Sequence, residues 1–102
     1  MKIKTIDVTA KEWFDKINGN SYFSARVVTD FGTRAEKTYY IPFEYGYGDY
    51  YLQAGAKVLT EHEVIAPCDI LSSSTLKAQG IIFRYGKQEG VKKTDVTAWG
   101  RP

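Results

Sequence analysis

Short segments rich in β-branched and aromatic residues alternate with glycine-containing turns along the whole chain. Because the turns interrupt the chain so often, only short strands and helices can form. Five segments predict strands. They are residues 3–8, a hairpin made of 22–29 and 37–44, and a terminal hairpin made of 81–85 and 91–99. Together these segments predict a sheet of about five short strands.

A first helix is predicted directly after the N-terminal strand. Thr9 and Glu12 have the spacing of a capping box, in which each side chain satisfies a backbone N–H of the first helical turn. The apolar residues that follow have helical spacing and are Ala10, Trp13, Phe14 and Ile17. Gly19 predicts the end of this helix, because glycine readily takes the left-handed conformation of a helix terminus.

Two further helices are predicted in the second half of the chain. Asp49 is a natural N-cap for a helix over residues 50–63, and Pro67 and Gly80 bound a weaker helix. Pro42 has no backbone N–H, so the strand that contains it is expected at a sheet edge or a bulge.

The length of 102 residues fits one domain, residues 1–102. The predicted fold class is α+β, with an antiparallel or mixed sheet and two to three helices packed on one face. No apolar run approaches the roughly 18 residues that a membrane span needs, and no signal-peptide core follows the N-terminus. A cytoplasmic protein without a membrane partner is therefore expected.

Catalytic and metal-binding residue types are scarce. The chain has one cysteine, Cys68, and one histidine, His62, which are too few for a disulfide or a zinc cluster. His62 is expected near a helix C-terminus, where a cation complements the helix dipole. The glycines at 46 and 48 fit neither phosphate-loop pattern. The sequence therefore predicts a protein that is not an enzyme and needs no metal and no cofactor.

Aromatic residues are concentrated in one part of the chain, where seven of them fall within residues 39–51. Tyrosine offers a large amphipathic contact area and is enriched at protein interfaces. The residues predicted to bind a partner are Tyr40, Glu44, Tyr45, Tyr47, Asp49 and Tyr50. The alternative interpretation is that alternate members of this run pack on the sheet while their hydroxyl groups reach water.

The net charge is only +2, but the charges are segregated. Residues 44–71 contain five acidic residues and one basic residue, whereas residues 72–102 contain six basic and two acidic residues. Solvated surfaces are the ordinary explanation. The alternative function is a nucleic-acid-binding module whose terminal hairpin contacts phosphates. Its candidate residues are Arg84, Lys87, Lys92, Lys93 and Arg101.

Residues 7–28 (DVTAKEWFDKINGNSYFSARVV) and 42–51 (PFEYGYGDYY) resemble small accessory proteins of tailed phages and prophages. The resemblance implies a bacterial host cell as the setting. It also implies a role in which the chain binds a host defence or replication component and blocks it.

The leading functional hypothesis is thus a phage-type inhibitor of a host protein, such as a CRISPR or restriction component, that acts by protein–protein contact. A homodimer formed through exposed strand edges stays open as a further alternative.

Overall fold

The computed structural model describes residues 3–102. In this range the chain forms four strands and three helices, which confirms the α+β class with one strand fewer than predicted. The elements are β1 (Thr5–Asp15), β2 (Asn20–Thr29), β3 (Lys37–Tyr45), α1 (Tyr50–Glu61), α2 (Ser73–Ala78), β4 (Ile82–Gln88) and α3 (Lys93–Trp99).

The four strands form one mixed sheet in the order β3-β2-β1-β4. β1 pairs antiparallel with β2 and parallel with β4, and β2 pairs antiparallel with β3. A parallel pair requires a long crossover connection. In this fold α1 and α2 lie on the connection that brings β4 back beside β1.

The helix predicted over residues 10–17 is wrong, because β1 continues as a strand to Asp15. Its residues pair with β2 without interruption from Ile6 to Asp15. Burial alternates along the strand, so that Val8, Ala10 and Glu12 are buried while their neighbours face the other side. Gly19 has a φ of +70° and ends the turn between β1 and β2 instead of a helix, and its N–H donates to the carbonyl of Asp15 at 2.7 Å.

The strand predicted over residues 91–99 is also wrong, because this segment contains helix α3. β4 does not pair with it, since the neighbour of β4 is β1. The chain turns at Gly90, which has a φ of +69°, and the N–H of Val91 donates to the carbonyl of Glu12 at 3.0 Å. The terminal hairpin therefore does not exist, and this accounts for the missing fifth strand.

The two faces of the sheet differ in what covers them. We call the side packed against α1 and α2 the apolar face, and its buried strand residues include Ile6, Val8, Ala10, Phe23, Ala25 and Val27. α3 packs on the opposite side, which we call the polar face, where Asp7, Thr9, Ser24, Arg26 and Tyr40 point. The prediction that all helices share one face is therefore wrong for α3, whose Val96 is buried outside the main core cluster.

α3 is attached to the polar face by polar contacts at both of its turns. The hydroxyl of Ser24 donates to the carbonyl of Val96, and Nε of Arg26 donates to the carbonyl of Trp99 at 2.9 Å. Trp99 Nε1 donates in turn to the carbonyl of Thr9 at 2.8 Å. α3 therefore has a fixed position on this face.

The remaining helix and edge predictions hold in outline. α1 begins at Tyr50 as predicted, with Asp49 at the N-cap position but without a side-chain capping bond. α2 begins only at Ser73, because the Ser72 side chain caps it by accepting from the N–H of Thr75. Pro42 lies on edge strand β3 inside the register shift opposite residues 23–25, which confirms its expected place. In residues 3–102 no helix has the length and apolar character to span a membrane.

Candidate partner-binding site

The tyrosine loop, residues 45–50, connects β3 to α1 and presents three exposed aromatic rings. The exposed fractions are 56% for Tyr45, 69% for Tyr47 and 42% for Tyr50. The three residues line a surface depression of about 400 Å³ together with Gly46, Gly48, Asp49 and Gln53. The structure therefore brings four of the six predicted partner-binding residues together around one depression.

The backbone of the tyrosine loop is held by hydrogen bonds. The N–H of Gly46 donates to the carbonyl of Ser21 at 3.1 Å, and the N–H of Tyr50 donates to the carbonyl of Tyr47 at 3.2 Å. The Lys87 ammonium donates to the carbonyl of Gly48 at 3.1 Å. A loop fixed in this way loses little conformational entropy when it binds a partner.

Two of the rings also rest on aromatic residues of β2 that point to opposite faces of the sheet. The Tyr50 ring meets Phe23 edge-on with centroids 5.7 Å apart, and the Tyr45 ring meets Tyr22 edge-on at 5.8 Å. Edge-to-face contacts at such distances are favourable. Each ring is thus supported on one side and exposed on the other.

Gly46 makes this close packing feasible. A Cβ atom at this position would lie 2.7 Å from Cε1 of Phe23 and 2.9 Å from Cδ1 of Tyr50. No side chain fits without moving one of these rings. Gly48 has a φ of +60°, a conformation that favours glycine, so the loop requires both of its glycines.

An ion pair lies beneath the loop and was not anticipated from the sequence. Lys87 Nζ is 3.2 Å from Oε1 of Glu12, and the two side chains are only 13% and 12% exposed. Lys87 also lies 3.5 Å from the carboxylate of Glu89. The capping-box spacing predicts a helix-capping role for Glu12, and the structure gives it this ion pair instead. Its partner is 75 positions away, a distance at which no local sequence pattern signals pairing.

The remaining tyrosines of residues 39–51 have different surroundings. Tyr39 and Tyr51 are buried in the core, and burial raises the pKa of the Tyr51 hydroxyl, with nearby Asp49 adding to the effect. Tyr40 lies on the polar face. Cζ of Arg26 lies 5.4 Å from the centroid of its ring. The tyrosines of residues 39–51 are therefore divided among the core, the polar face and the tyrosine loop.

Glu44 belongs to the packing between β3 and α1. It pairs across the strands with Phe23, on the apolar face. Burial raises the pKa of its carboxyl, while the Lys57 charge opposes this shift. Glu44 therefore does not line the depression formed by the tyrosine loop.

The five basic residues proposed for nucleic-acid binding are dispersed. Arg84 lies on the polar face in an ion pair with Asp7, and Lys87 lies on the other face with Glu12. Lys93 sits over the Trp13 ring at 5.3 Å. Lys92 and Arg101 are exposed at opposite ends of α3. These residues therefore do not form the single hairpin surface that the sequence predicted.

The two residues considered for catalysis lie in different surroundings. His62 is the C-cap of α1, as expected, and its ring centroid is 5.0 Å from that of Tyr39. Cys68 is half-buried, and burial followed by the nearby Asp69 charge raises the pKa of its thiol. A raised pKa keeps the thiol protonated at neutral pH. In residues 3–102, no three His, Cys, Asp or Glu side chains are grouped as a metal site would need.

Comparisons with known proteins add no relative. A scan of protein-family models, a search of curated proteins and a search of solved structures found no match to this chain.

Proposed function

We propose that this chain is a non-enzymatic binding protein that inhibits a bacterial host factor by docking its tyrosine loop on that factor. The observation that carries the proposal is that three exposed tyrosines, Tyr45, Tyr47 and Tyr50, line one depression. Clustered aromatic side chains of this kind dominate the binding energy of many protein interfaces.

The fixed backbone of the loop supports the same function. Its hydrogen bonds to Ser21 and Lys87 hold the loop backbone in place before a partner arrives. Affinity rises when less ordering is required on binding, and Tyr has only two side-chain torsions to fix.

Charge around the loop favours a protein partner over nucleic acid. Nucleic-acid binding through stacked aromatic rings requires cations beside those rings to contact phosphates. In the part of the chain that the structure describes, the residues lining the depression include one acid, Asp49, and no base. The nearest cation beneath the loop, Lys87, is engaged by Glu12.

The host setting of the proposal rests on the resemblance of residues 7–28 and 42–51 to phage accessory proteins. Such proteins act by binding host components, and a CRISPR or restriction protein is the partner class proposed here. A compact surface of three anchors on a small domain is suited to blocking a site on a larger protein.

The test is affinity capture from nuclease-treated bacterial lysate with the tagged chain, followed by mass spectrometry. The control bait is the Tyr47→Ala/Tyr50→Ala variant, checked for an unchanged circular dichroism spectrum. We expect a stoichiometric host protein on the native bait that is absent from the variant, and loss of that protein's activity when the native chain is added. Capture by both baits, or capture of nucleic acid alone from lysate without nuclease, would contradict the proposal.

A further inference from the structure

The uncovered part of the polar face forms a groove of about 540 Å³, larger than the depression at the tyrosine loop. We call it the polar-face groove. All four strands contribute to it, and α3 contributes only Trp99. The side chains that matter here are Asp7, Arg26, Phe31, Glu36, Tyr40 and Trp99. Its volume lies within the range of small-molecule sites, roughly 300–1,000 Å³.

Arg26 is the cation of the groove without a carboxylate partner. The other arginine, Arg84, is neutralised by Asp7 through a two-pronged contact of 2.6 Å and 3.0 Å. Within residues 3–102, no carboxylate lies within ion-pair distance of Arg26, whose Nε bonds only to the carbonyl of Trp99. Its terminal nitrogens make no hydrogen bond to the described residues. A partly buried charge without a partner favours binding of a counter-ion.

Aromatic rings surround this guanidinium. Cζ of Arg26 lies 3.9 Å from the centroid of the Trp99 ring and 5.4 Å from that of Tyr40. Stacking on aromatic faces fixes the plane of the guanidinium fork, which matches the oxygens of phosphate. Phe31 also lines the groove and is 63% exposed, so its face is available for stacking.

A carboxylate completes the lining. Oε1 of Glu36 accepts from the N–H of Gly32 at 2.9 Å, which orients the side chain. A carboxylate accepts hydrogen bonds from amino and imino groups. The groove therefore combines a cation for an oxyanion, a ring for stacking and an acceptor for N–H groups.

We propose that the polar-face groove binds a nucleotide, with the phosphate on Arg26, the base against Phe31 and a base N–H group on Glu36. A nucleotide combines these three features in one small ligand. Two sources supply it, namely a free mononucleotide or the end of a single strand. This site is separate from the tyrosine loop and does not depend on the function proposed for that loop.

The experiment is calorimetric titration of the purified chain with nucleoside 5′-monophosphates, the matching nucleosides, inorganic phosphate, benzoate and short single-stranded oligonucleotides. We expect a mononucleotide to bind in the range of about 1 mM or tighter, and at least about tenfold more tightly than its nucleoside or phosphate alone. Oligonucleotide binding about tenfold tighter than this identifies a strand end as the source, and equal affinity identifies the free nucleotide.

Variants test the assigned contacts. Arg26→Lys keeps the charge but loses the planar fork, and we expect at least about tenfold weaker binding. Phe31→Ala should weaken binding about five- to tenfold through lost stacking, whereas Ile17→Ala, another exposed apolar residue, should leave it unchanged. The Tyr47→Ala/Tyr50→Ala variant should bind nucleotides normally, so that the two sites are tested separately.

The proposal is overturned if no nucleotide or oligonucleotide binds at about 1 mM. It is also overturned if benzoate, which has a ring and a negative charge but no phosphate, binds as tightly as the mononucleotides. It is also overturned if a folded Phe31→Ala variant and a folded Arg26→Lys variant both bind nucleotides with native affinity. Thermal unfolding of each variant verifies that it is folded.

Discussion

The tyrosine loop and the basic C-terminal residues are two groups of like side chains. The fold brings the members of the first group together and separates those of the second. Tyr45, Tyr47 and Tyr50 line one depression. Arg84 and Lys87 lie on opposite faces of the sheet, and Lys93 lies on α3. The first group makes one surface, and the second is divided among separate ion pairs and ring contacts.

The difference follows from the elements that carry each group. The tyrosine loop is short enough for its residues to line one depression, although the Tyr45 and Tyr50 rings pack on opposite sides of β2. A strand sends neighbouring side chains to opposite faces, and the turn at Gly90 then takes the chain to another layer. In this chain, like side chains that are close in sequence share a surface feature when they lie in a loop, and they are separated when they lie on a strand and the helix after it.

The largest expected effect concerns Lys87, whose ion pair with Glu12 lies beneath the tyrosine loop. Lys87→Met leaves the Glu12 carboxylate without its partner, and we expect the free energy of unfolding to fall by about 3 kcal/mol. Urea unfolding measures this change. Lys92→Met, on an exposed residue, should change it by less than about 0.5 kcal/mol.

A double substitution sharpens that result. Adding Glu12→Gln to Lys87→Met removes the uncompensated charge, so much of the lost stability should return. If the Lys87 and Lys92 variants lose equal stability, the ion pair has no structural role and the basic residues should again be considered as one group.

A smaller effect is expected at Gly46, which sets the shape of the tyrosine loop. Gly46→Ala places a Cβ against the Phe23 and Tyr50 rings, and overpacking of this kind costs about 1–3 kcal/mol. Partner binding should weaken with it. Gly86→Ala is the control, since no atom lies within 4 Å of a Cβ at that position. Equal urea midpoints for the two variants would show that the loop is not held by this packing.

The smallest effect concerns Glu44, which the sequence grouped with the tyrosines. Burial raises the pKa of its carboxyl, so the folded state favours the protonated form. Glu44 therefore contributes stability below the ordinary glutamate pKa of about 4.3, and this contribution is lost as the pH rises through the folded-state pKa.

Glu44→Gln should accordingly stabilise the chain slightly at pH 7, by less than about 0.5 kcal/mol, and should leave partner affinity unchanged. The stability gain should vanish near about pH 3, where both side chains are uncharged. Urea unfolding at the two pH values measures it. A loss of partner affinity in this variant would return Glu44 to the binding site.

The sequence predicted those elements correctly in which the local propensity and the tertiary contacts favour the same secondary structure. β2, β3 and α1 were recognised, and so was the edge position of Pro42. Residues 10–17 have helical spacing as well, but pairing with β2 along the whole of β1 overrides it. Ile17, counted in the predicted apolar stripe, is 94% exposed in the turn.

The strand prediction for residues 91–99 is wrong for a different reason. Their β-branched residues favour a strand, but β4 pairs with β1 instead. The segment turns at Gly90 and forms α3, whose Val96 and Trp99 carbonyls accept from Ser24 and Arg26 on the polar face. The tyrosine loop was selected for partner binding because aromatic residues are concentrated in residues 39–51. The Glu12–Lys87 pair and the setting of Arg26 depend on contacts across the sheet, so the sequence did not indicate them.

The most direct test of the tyrosine loop is the affinity of the captured host protein for two double variants. We predict that Tyr47→Ala/Tyr50→Ala weakens binding by at least about thirtyfold, the effect of losing an interface hot spot of about 2 kcal/mol. Lys92→Ala/Lys93→Ala should change the affinity by less than about threefold. Equal losses in the two folded variants, or a larger loss in the lysine variant, would contradict the assignment of binding to the tyrosine loop.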